Sequence, residues 1–274
     1  MKEPITSLQN NLVKYILRLQ QKVRERKDSG LFVTEGRREI SLALSANIKI
    51  KHLLICNDIY TEDEVYPINT ESIEPEKIIH VSRSVYNKMA YRENNEGVIL
   101  LGEQREHALN NIVTQSNPLV IILEGVEKPG NLGAVLRTAD AVAADAVILV
   151  DPRTDFYSPN TLRASLGCVF TVPSAICTGD EVIEWLKAEA VWRQEDAVIL
   201  AASLGADTSI YETSLTGPVA LVFGAEDKGL SGQWIKAPCK PVLIPMSGKI
   251  DSLNLSASVA IVAFETVRQR KHSP

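Results

Sequence analysis

Most of the signatures by which a chain declares metal binding, secretion or membrane insertion are missing here. The four cysteines, Cys56, Cys168, Cys177 and Cys239, are scattered and form no CxxC pair, which argues against a zinc site or a disulfide framework and for buried thiols in a reducing compartment. No apolar run reaches the roughly 18 residues of a membrane span, and residues 1–4 begin no apolar signal core, so a cytoplasmic protein with no membrane partner is expected. A general excess of basic charge is also absent: the net charge is −5, the wrong sign for a protein that coats nucleic acid indiscriminately. The standard ligand loops fail in turn. There is no GxGxxG, Leu230 stands where a P-loop beginning at Gly224 would need lysine, RASLG around Ser165 lacks the first glycine of a hydrolase elbow, and no HExxH occurs. Nucleoside triphosphatases, dinucleotide dehydrogenases, serine hydrolases and zinc peptidases are therefore disfavoured.

What is present describes a folded α/β protein. Hydrophobic residues make up 45% and charged residues 23% of 274, enough to bury a core, and the length suggests two domains. Basic charge is concentrated at the start, where residues 1–40 hold nine basic side chains, Lys2 among them, against five acidic ones. Over residues 7–27 the apolar positions Leu12, Ile16, Leu19 and Val23 recur at helical spacing while Lys14, Arg18 and Lys22 fall on another stripe, predicting one amphipathic helix. Short apolar runs at 31–33, 50–56, 78–81 and 98–101 alternate with helical stretches at 37–45 and 83–90, which predicts a small α/β domain over residues 1–103. Residues 104–118 lose the strong apolar blocks and are expected to be a linker. The remainder, 119–274, carries five Val-, Ile- and Leu-rich runs at 119–123, 146–150, 198–202, 219–223 and 242–244, with helical stretches at 131–143, 180–190 and 255–270. Continuous apolar strands alternating with helices predict a mostly parallel sheet covered on both faces.

Such a sheet binds ligands beyond the C-terminal ends of its strands. Three loops there are unusual: EGVEKPGNLGAVLRTADA after Leu123, GAEDKGLSG after Phe223 and PMSGKIDSLNLSASVA after Ile244. Each sets glycine and polar groups where an apolar strand ends, letting backbone N–H and C=O groups approach a ligand closely. Together they resemble the three motifs of the SpoU (TrmH) family of SPOUT RNA 2'-O-ribose methyltransferases. Asn131, Gly133 and Arg137 match the first motif, Glu226 the second, and Ser252, Leu253, Asn254 and Ser256 the third, in the family's order and spacing. The likeness continues through SPNTLRASLG and upstream through LFVTEGRRE, similar to the RNA-binding domain that many members carry. Two positions depart from the pattern: Asp227 replaces a common glycine, and Lys128 stands where many members have aspartate.

The resemblance implies a trefoil-knotted α/β methyltransferase domain that forms a homodimer and uses S-adenosylmethionine to methylate a ribose 2'-hydroxyl. The upstream domain points to ribosomal RNA; transfer RNA, and a non-catalytic RNA-binding dimer that keeps the knot, stand as alternatives. It assigns catalysis to Asn131, Arg137, Glu226, Ser252 and Asn254, and cofactor contacts to Gly224, Ile244, Met246, Leu253 and Ser256. Taken singly, Asn131, Ser252 and Asn254 read equally as helix caps, Glu226 as a turn carboxylate, and Arg137, among Val135, Leu136 and Val142, as a half-buried residue that needs a partner. Glu226 is expected to hold Arg137 or Asn254. A guanidinium is practically never deprotonated, so Arg137 is expected to grip a phosphate and stabilise the developing alkoxide rather than act as a base. Displacement of a neutral thioether needs no metal, and none is expected. Lys14, Arg18, Lys22, Arg37 and Arg38 are the expected RNA contacts, with Arg268, Arg270 and Lys271 as helpers.

Overall fold

Asn10 accepts the Leu12 amide at 2.8 Å and so starts α1 (Asn11–Gln21), a helix that buries Val13, Ile16 and Leu19. The computed structural model describes residues 3–62, 64–91, 96–235, 237–250 and 252–272; Lys2 and Asp251 lie outside them. The single helix expected over 7–27 is two helices. Lys22 is extended (φ −115°, ψ 114°), and α2 (Val23–Ser29) runs on to Gly30. The break leaves Val23 exposed and turns Arg26 inward, where it is 3% exposed. Arg26 Nε meets Asp155 Oδ2 at 2.6 Å, and its Nη1 donates to the carbonyls of Leu19 and Gln20. A buried guanidinium needs every one of these partners, and that need overrides the continuity of the apolar stripe.

The chain continues through β1 (Leu31–Glu35), α3 (Arg37–Ser45), β2 (Ile50–Ile55), β3 (Ile78–His80), α4 (Arg83–Met89) and β4 (Val98–Glu103). These strands form one sheet in the order β1-β4-β2-β3, with β4 antiparallel to β1 and β2, and β3 parallel to β2. The apolar face of α1 packs into a core with Leu54, Val85, Met89, Ile99 and Leu101. Tyr86 is fully buried there; its hydroxyl bonds Glu35 Oε1 at 3.4 Å, and burial together with the Glu35 charge raises its pKa.

Then follow β5 (Leu119–Glu124), α5 (Pro129–Ala141), β6 (Ala146–Val150), α6 (Pro159–Ser165), α7 (Cys168–Thr171), β7 (Ser174–Cys177), α8 (Gly179–Ala188), β8 (Val198–Ala202), β9 (Val219–Phe223), β10 (Lys240–Val242) and α9 (Leu255–His272). The strands make a six-stranded sheet in the order β10-β8-β9-β5-β6-β7, parallel throughout. All residues of β5, β6 and β9 are buried, as strands covered on both faces should be. Each large aliphatic side chain so placed contributes about 1.5–3 kcal/mol. α8 begins at a capping box in which the Thr178 amide donates to Glu181 Oε2 at 2.7 Å and Thr178 Oγ1 accepts the Glu181 amide at 3.4 Å.

Two compact units result, and a single cut along the chain does not separate them: Met1–Glu106 with Asp155–Thr171, and His107–Thr154 with Val172–Pro274. The segment with α6 and α7, expected within the C-terminal domain, belongs with the N-terminal sheet; Tyr157 stacks on Phe32 at 5.0 Å and Phe170 lies 5.4 Å from the same ring. The expected linker also differs. His107 O accepts the Ile176 amide at 2.8 Å, covering the edge of β7, and Leu109 and Ile112 pack on the C-terminal core. Covering an edge strand removes a row of unpaired backbone groups, which explains why a weakly apolar stretch is ordered.

Candidate active site

α5 begins directly after the loop that leaves β5, with Lys128 as its N-cap and Pro129 in the first turn. Its buried face is Leu132, Gly133, Val135, Leu136 and Ala139, which leaves Asn131 half-buried at its first turn and Arg137 on the solvent side. α9 packs against α5 and starts at Leu255, so that Asn254 caps it: Asn254 Oδ1 accepts the Ser256 amide at 2.9 Å and Ser256 Oγ at 2.7 Å. Between β9 and the next turn, the loop closes on itself through the Gly229 amide, which donates to Ala225 O at 2.8 Å. A Cβ on Gly224 would lie 2.1 Å from the Gly229 carbonyl carbon, so only glycine fits there. The far side of this loop is pinned by Ser231, whose amide and hydroxyl donate to the buried Glu124 carboxylate at 2.8 and 2.7 Å.

These three supports bring one carboxylate to the N-terminal ends of two helices. Glu226 Oε1 accepts from Asn131 Nδ2 and, at 3.3 Å, from Asn254 Nδ2; Asn254 Nδ2 also donates to Asn131 Oδ1 at 3.1 Å. Glu226 Oε2 pairs with Lys128 Nζ, and the Leu255 amide donates to the carboxylate. Lys128, then burial acting in the opposite sense, then Asn131 set its proton affinity, and the balance holds Glu226 below the usual carboxylate range. The positive ends of α5 and α9 favour the same ionised form.

Beside this cluster lies a cavity of about 870 Å³ at the C-terminal ends of β8, β9 and β10, within the roughly 300–1,000 Å³ of small-molecule sites. Its walls include Gly224, Glu226, Ile244, Met246, Ser252 and Leu253. Apolar surface from Phe223, Leu230, Trp234 and Val242 suits an aromatic ring, and the glycine-bearing loops offer backbone donors and acceptors. The cavity therefore fits an adenosyl group in size and chemistry. Among the expected cofactor contacts, Ser256 is the one placed otherwise: it does not line the cavity and bonds Asn254 instead. Ser252, expected with the catalytic set, is on the cavity wall rather than bonded to Asn131, Glu226 or Asn254.

Arg137 corrects two expectations. It is exposed rather than half-buried, and no hydrogen bond or ion pair holds its side chain among the described residues. Of the two partners considered for Glu226, Asn254 is bound and Arg137 is not. Six residues beyond Asn131, Arg137 lies about 9 Å farther along the axis of α5, with its donors free.

The basic residues of the N-terminal unit divide. Lys14 and Lys22 are exposed with free ammonium groups among the described residues, and Arg18, also exposed, sits over the Tyr15 ring and 3.6 Å from Glu25. Arg37 is half-buried and engaged, donating to Thr61 O at 2.7 Å and Thr61 Oγ1 at 3.0 Å, and Arg38 stacks over Tyr66. In the C-terminal unit Arg270 is committed to Asn117, Pro118 and Gly217, and Arg268 to Glu265, leaving Lys271 exposed. Sequence reasoning missed the wall formed by residues 201–205, at the end of β8 and in the loop that follows, and the Glu124–Ser231 clasp. The strand-end rule that singled out three loops would have found the first, had it been applied to the loop after β8 as well.

Comparison with known proteins agrees with this geometry. Residues 118–264 match the SpoU rRNA Methylase family, and residues 10–100 match the MRM3-like substrate binding domain. A 23S rRNA (guanosine-2'-O-)-methyltransferase, RlmB of Photobacterium profundum, is 34% identical over 218 residues, covering 77% of this chain and 86% of that protein. The SpoU methyltransferase AviRb from Streptomyces viridochromogenes, solved in complex with AdoMet, superposes with a TM-score of 0.85 at 25% identity, over 96% of this chain and all of that one. An AdoMet-bound rRNA methyltransferase from Sinorhizobium meliloti gives 0.84 at 30% identity, over 97% of each chain. This chain belongs to the SpoU rRNA methylase family.

Proposed function

We propose that this protein transfers a methyl group from S-adenosylmethionine to a ribose 2'-hydroxyl of ribosomal RNA. The observation that carries the reading is the junction of an adenosyl-sized cavity with the Asn131–Glu226–Asn254 cluster at the strand ends. Gly224, Ile244, Met246 and Leu253 would hold the cofactor, and when bound it supplies a methyl group on a sulfonium, whose leaving group is a neutral thioether. The protein's share is positioning and electrostatics. Glu226, an acceptor only while ionised, fixes both carboxamides with their NH2 groups towards it, and Ser252 faces the cavity from the third loop. Arg137 has its donors free to grip a phosphate beside the reacting ribose and to stabilise the developing alkoxide. No step requires a metal. Lys14, Arg18 and Lys22 form the RNA-facing stripe; Arg37 and Arg38 act by shaping that unit. The trefoil knot and a homodimer through the C-terminal unit belong to the same reading, and Phe264, 51% exposed on α9, is a side chain such an interface would cover. Among the described residues no helix is long and apolar enough to cross a membrane.

The test is nucleoside mass spectrometry of ribosomal and transfer RNA treated with the purified protein and labelled S-adenosylmethionine. A labelled 2'-O-methylnucleoside in ribosomal RNA is expected, with Arg137→Lys at least tenfold slower because lysine cannot make the bidentate contact, a loss of about 1.4 kcal/mol in transition-state stabilisation. Label in transfer RNA alone would overturn the substrate, label on a base would overturn the chemistry, and cofactor binding without label would leave a binding protein. Full turnover by Arg137→Lys would remove the role given to that residue.

A further inference from the structure

Lys128, one of the two positions at which this chain departs from the pattern it resembles, is the cation that meets Glu226 in the cluster just described. The Lys128 side chain is 67% exposed and that of Glu226 27%, so the pair sits at the rim of the site. The charged groups around Glu226 come from two elements: Lys128, with Glu127 beside it, on the loop before α5, and Asp227 and Lys228 on its own loop. Glu127 is paired with Arg153. From α9 the carboxylate receives only neutral groups, the Asn254 amide and the Leu255 N–H. Lys128 is the nearest compensating charge.

The consequences run through hydrogen-bond chemistry. While Glu226 is ionised, Asn131 and Asn254 must both present NH2 to Oε1, which leaves Asn254 Oδ1 for the Ser256 amide and hydroxyl and Asn131 Oδ1 for Asn254. A protonated Glu226 would become a donor, and either amide could then turn over. We propose that Lys128 is a positioning residue for methyl transfer: its ammonium holds Glu226 Oε2, which turns Oε1 towards the Asn131 and Asn254 amides and so fixes their orientation at the reacting ribose. A carboxyl held below its usual range keeps its pairing above that range and loses it as pH falls through the lowered value. Removing the ammonium removes the largest cause of that lowering, so the loss moves to higher pH.

The proposal rests on the methyl-transfer reading of this site, and its first measurement is independent of turnover. The Glu226 carboxyl is titrated by carbon-13 NMR in the full-length wild type, Lys128→Met and Lys128→Arg. Glu226 is expected to titrate at higher pH in Lys128→Met and at its wild-type position in Lys128→Arg. The acid limb of the single-turnover rate should move the same way, with about a two- to fivefold loss of rate at pH 5, the size of an exposed ion pair, and unchanged KM for RNA. An unchanged Glu226 titration in Lys128→Met overturns the proposal. A rise in KM for RNA with an unchanged rate also overturns it, making Lys128 a substrate contact. A wild-type protein that transfers no methyl group would instead sink the reading of the site, while the titration still reports on the pair.

Discussion

Arg26 in the N-terminal unit and Glu226 in the C-terminal unit are both charged side chains held by several hydrogen bonds, yet they are built for different ends. Arg26 is 3% exposed, and its partners are a carboxylate that is 13% exposed and two backbone carbonyls. Its burial closes it to a ligand. Glu226 is 27% exposed beside a cavity, and its partners are two carboxamides, one backbone amide and a mostly exposed ammonium. Such partners can re-form around a substrate at low cost. Burial thus separates a charge that defines a fold from one available for chemistry: the first cannot lose a partner without a large desolvation penalty, and the second can.

Breaking the buried hub should have the largest effect. Asp155→Ala leaves the Arg26 guanidinium buried without its counter-ion and should lower stability by about 3–5 kcal/mol. Hydrogen exchange would show this as lost protection of the α1 and α2 amides, with S-adenosylmethionine affinity changed less than about twofold, since the cavity lies in the other unit. The opposite pattern is expected next for Glu226→Ala: turnover should fall on the order of a hundredfold, as when a preorganised active-site group is removed, while stability changes by less than about 1 kcal/mol. Calorimetry beside single-turnover kinetics decides this, and a stability loss as large as that of Asp155→Ala would erase the contrast. The smallest effect belongs to the solvated stripe of α1. Replacing Lys14 and Lys22 together by Gln should weaken RNA binding severalfold and reduce the slope of log affinity against log salt by about two, one per phosphate contact. An unchanged slope would return those lysines to ordinary surface.

Some of this could be read along the chain, and particular residues show where the reading stopped. The runs at β5, β6, β8 and β9 were legible because strands buried on both faces are continuously apolar. β7 was not: Ser174–Cys177 is a short edge strand with a single buried residue, and no apolar block marks it. The last strand was expected at 242–244 and pairs at Lys240–Val242, because its register is fixed by Leu200, Ala201 and Ala202 on β8 rather than by its own hydrophobicity. The helix break at Lys22 was illegible because its cause, Asp155, is far away in sequence.

The candidate site divides in the same way. Asn131, Glu226 and Asn254 could be named from the chain because the loops that carry them follow apolar strands and precede helices, positions set by local pattern. That Lys128 pairs with Glu226, that Arg137 has no partner among the described residues and that Arg37 is bonded to Thr61 were decided by the fold alone. The sequence by itself determined the order of the buried strands and of the longer helices between them, and through it the end of the sheet where ligands bind, since both follow from the periodicity of burial. Only the tertiary structure decided which polar groups meet, because hydrogen bonds and ion pairs form between residues such as Glu226 and Lys128, 98 positions apart, whose proximity no local pattern encodes.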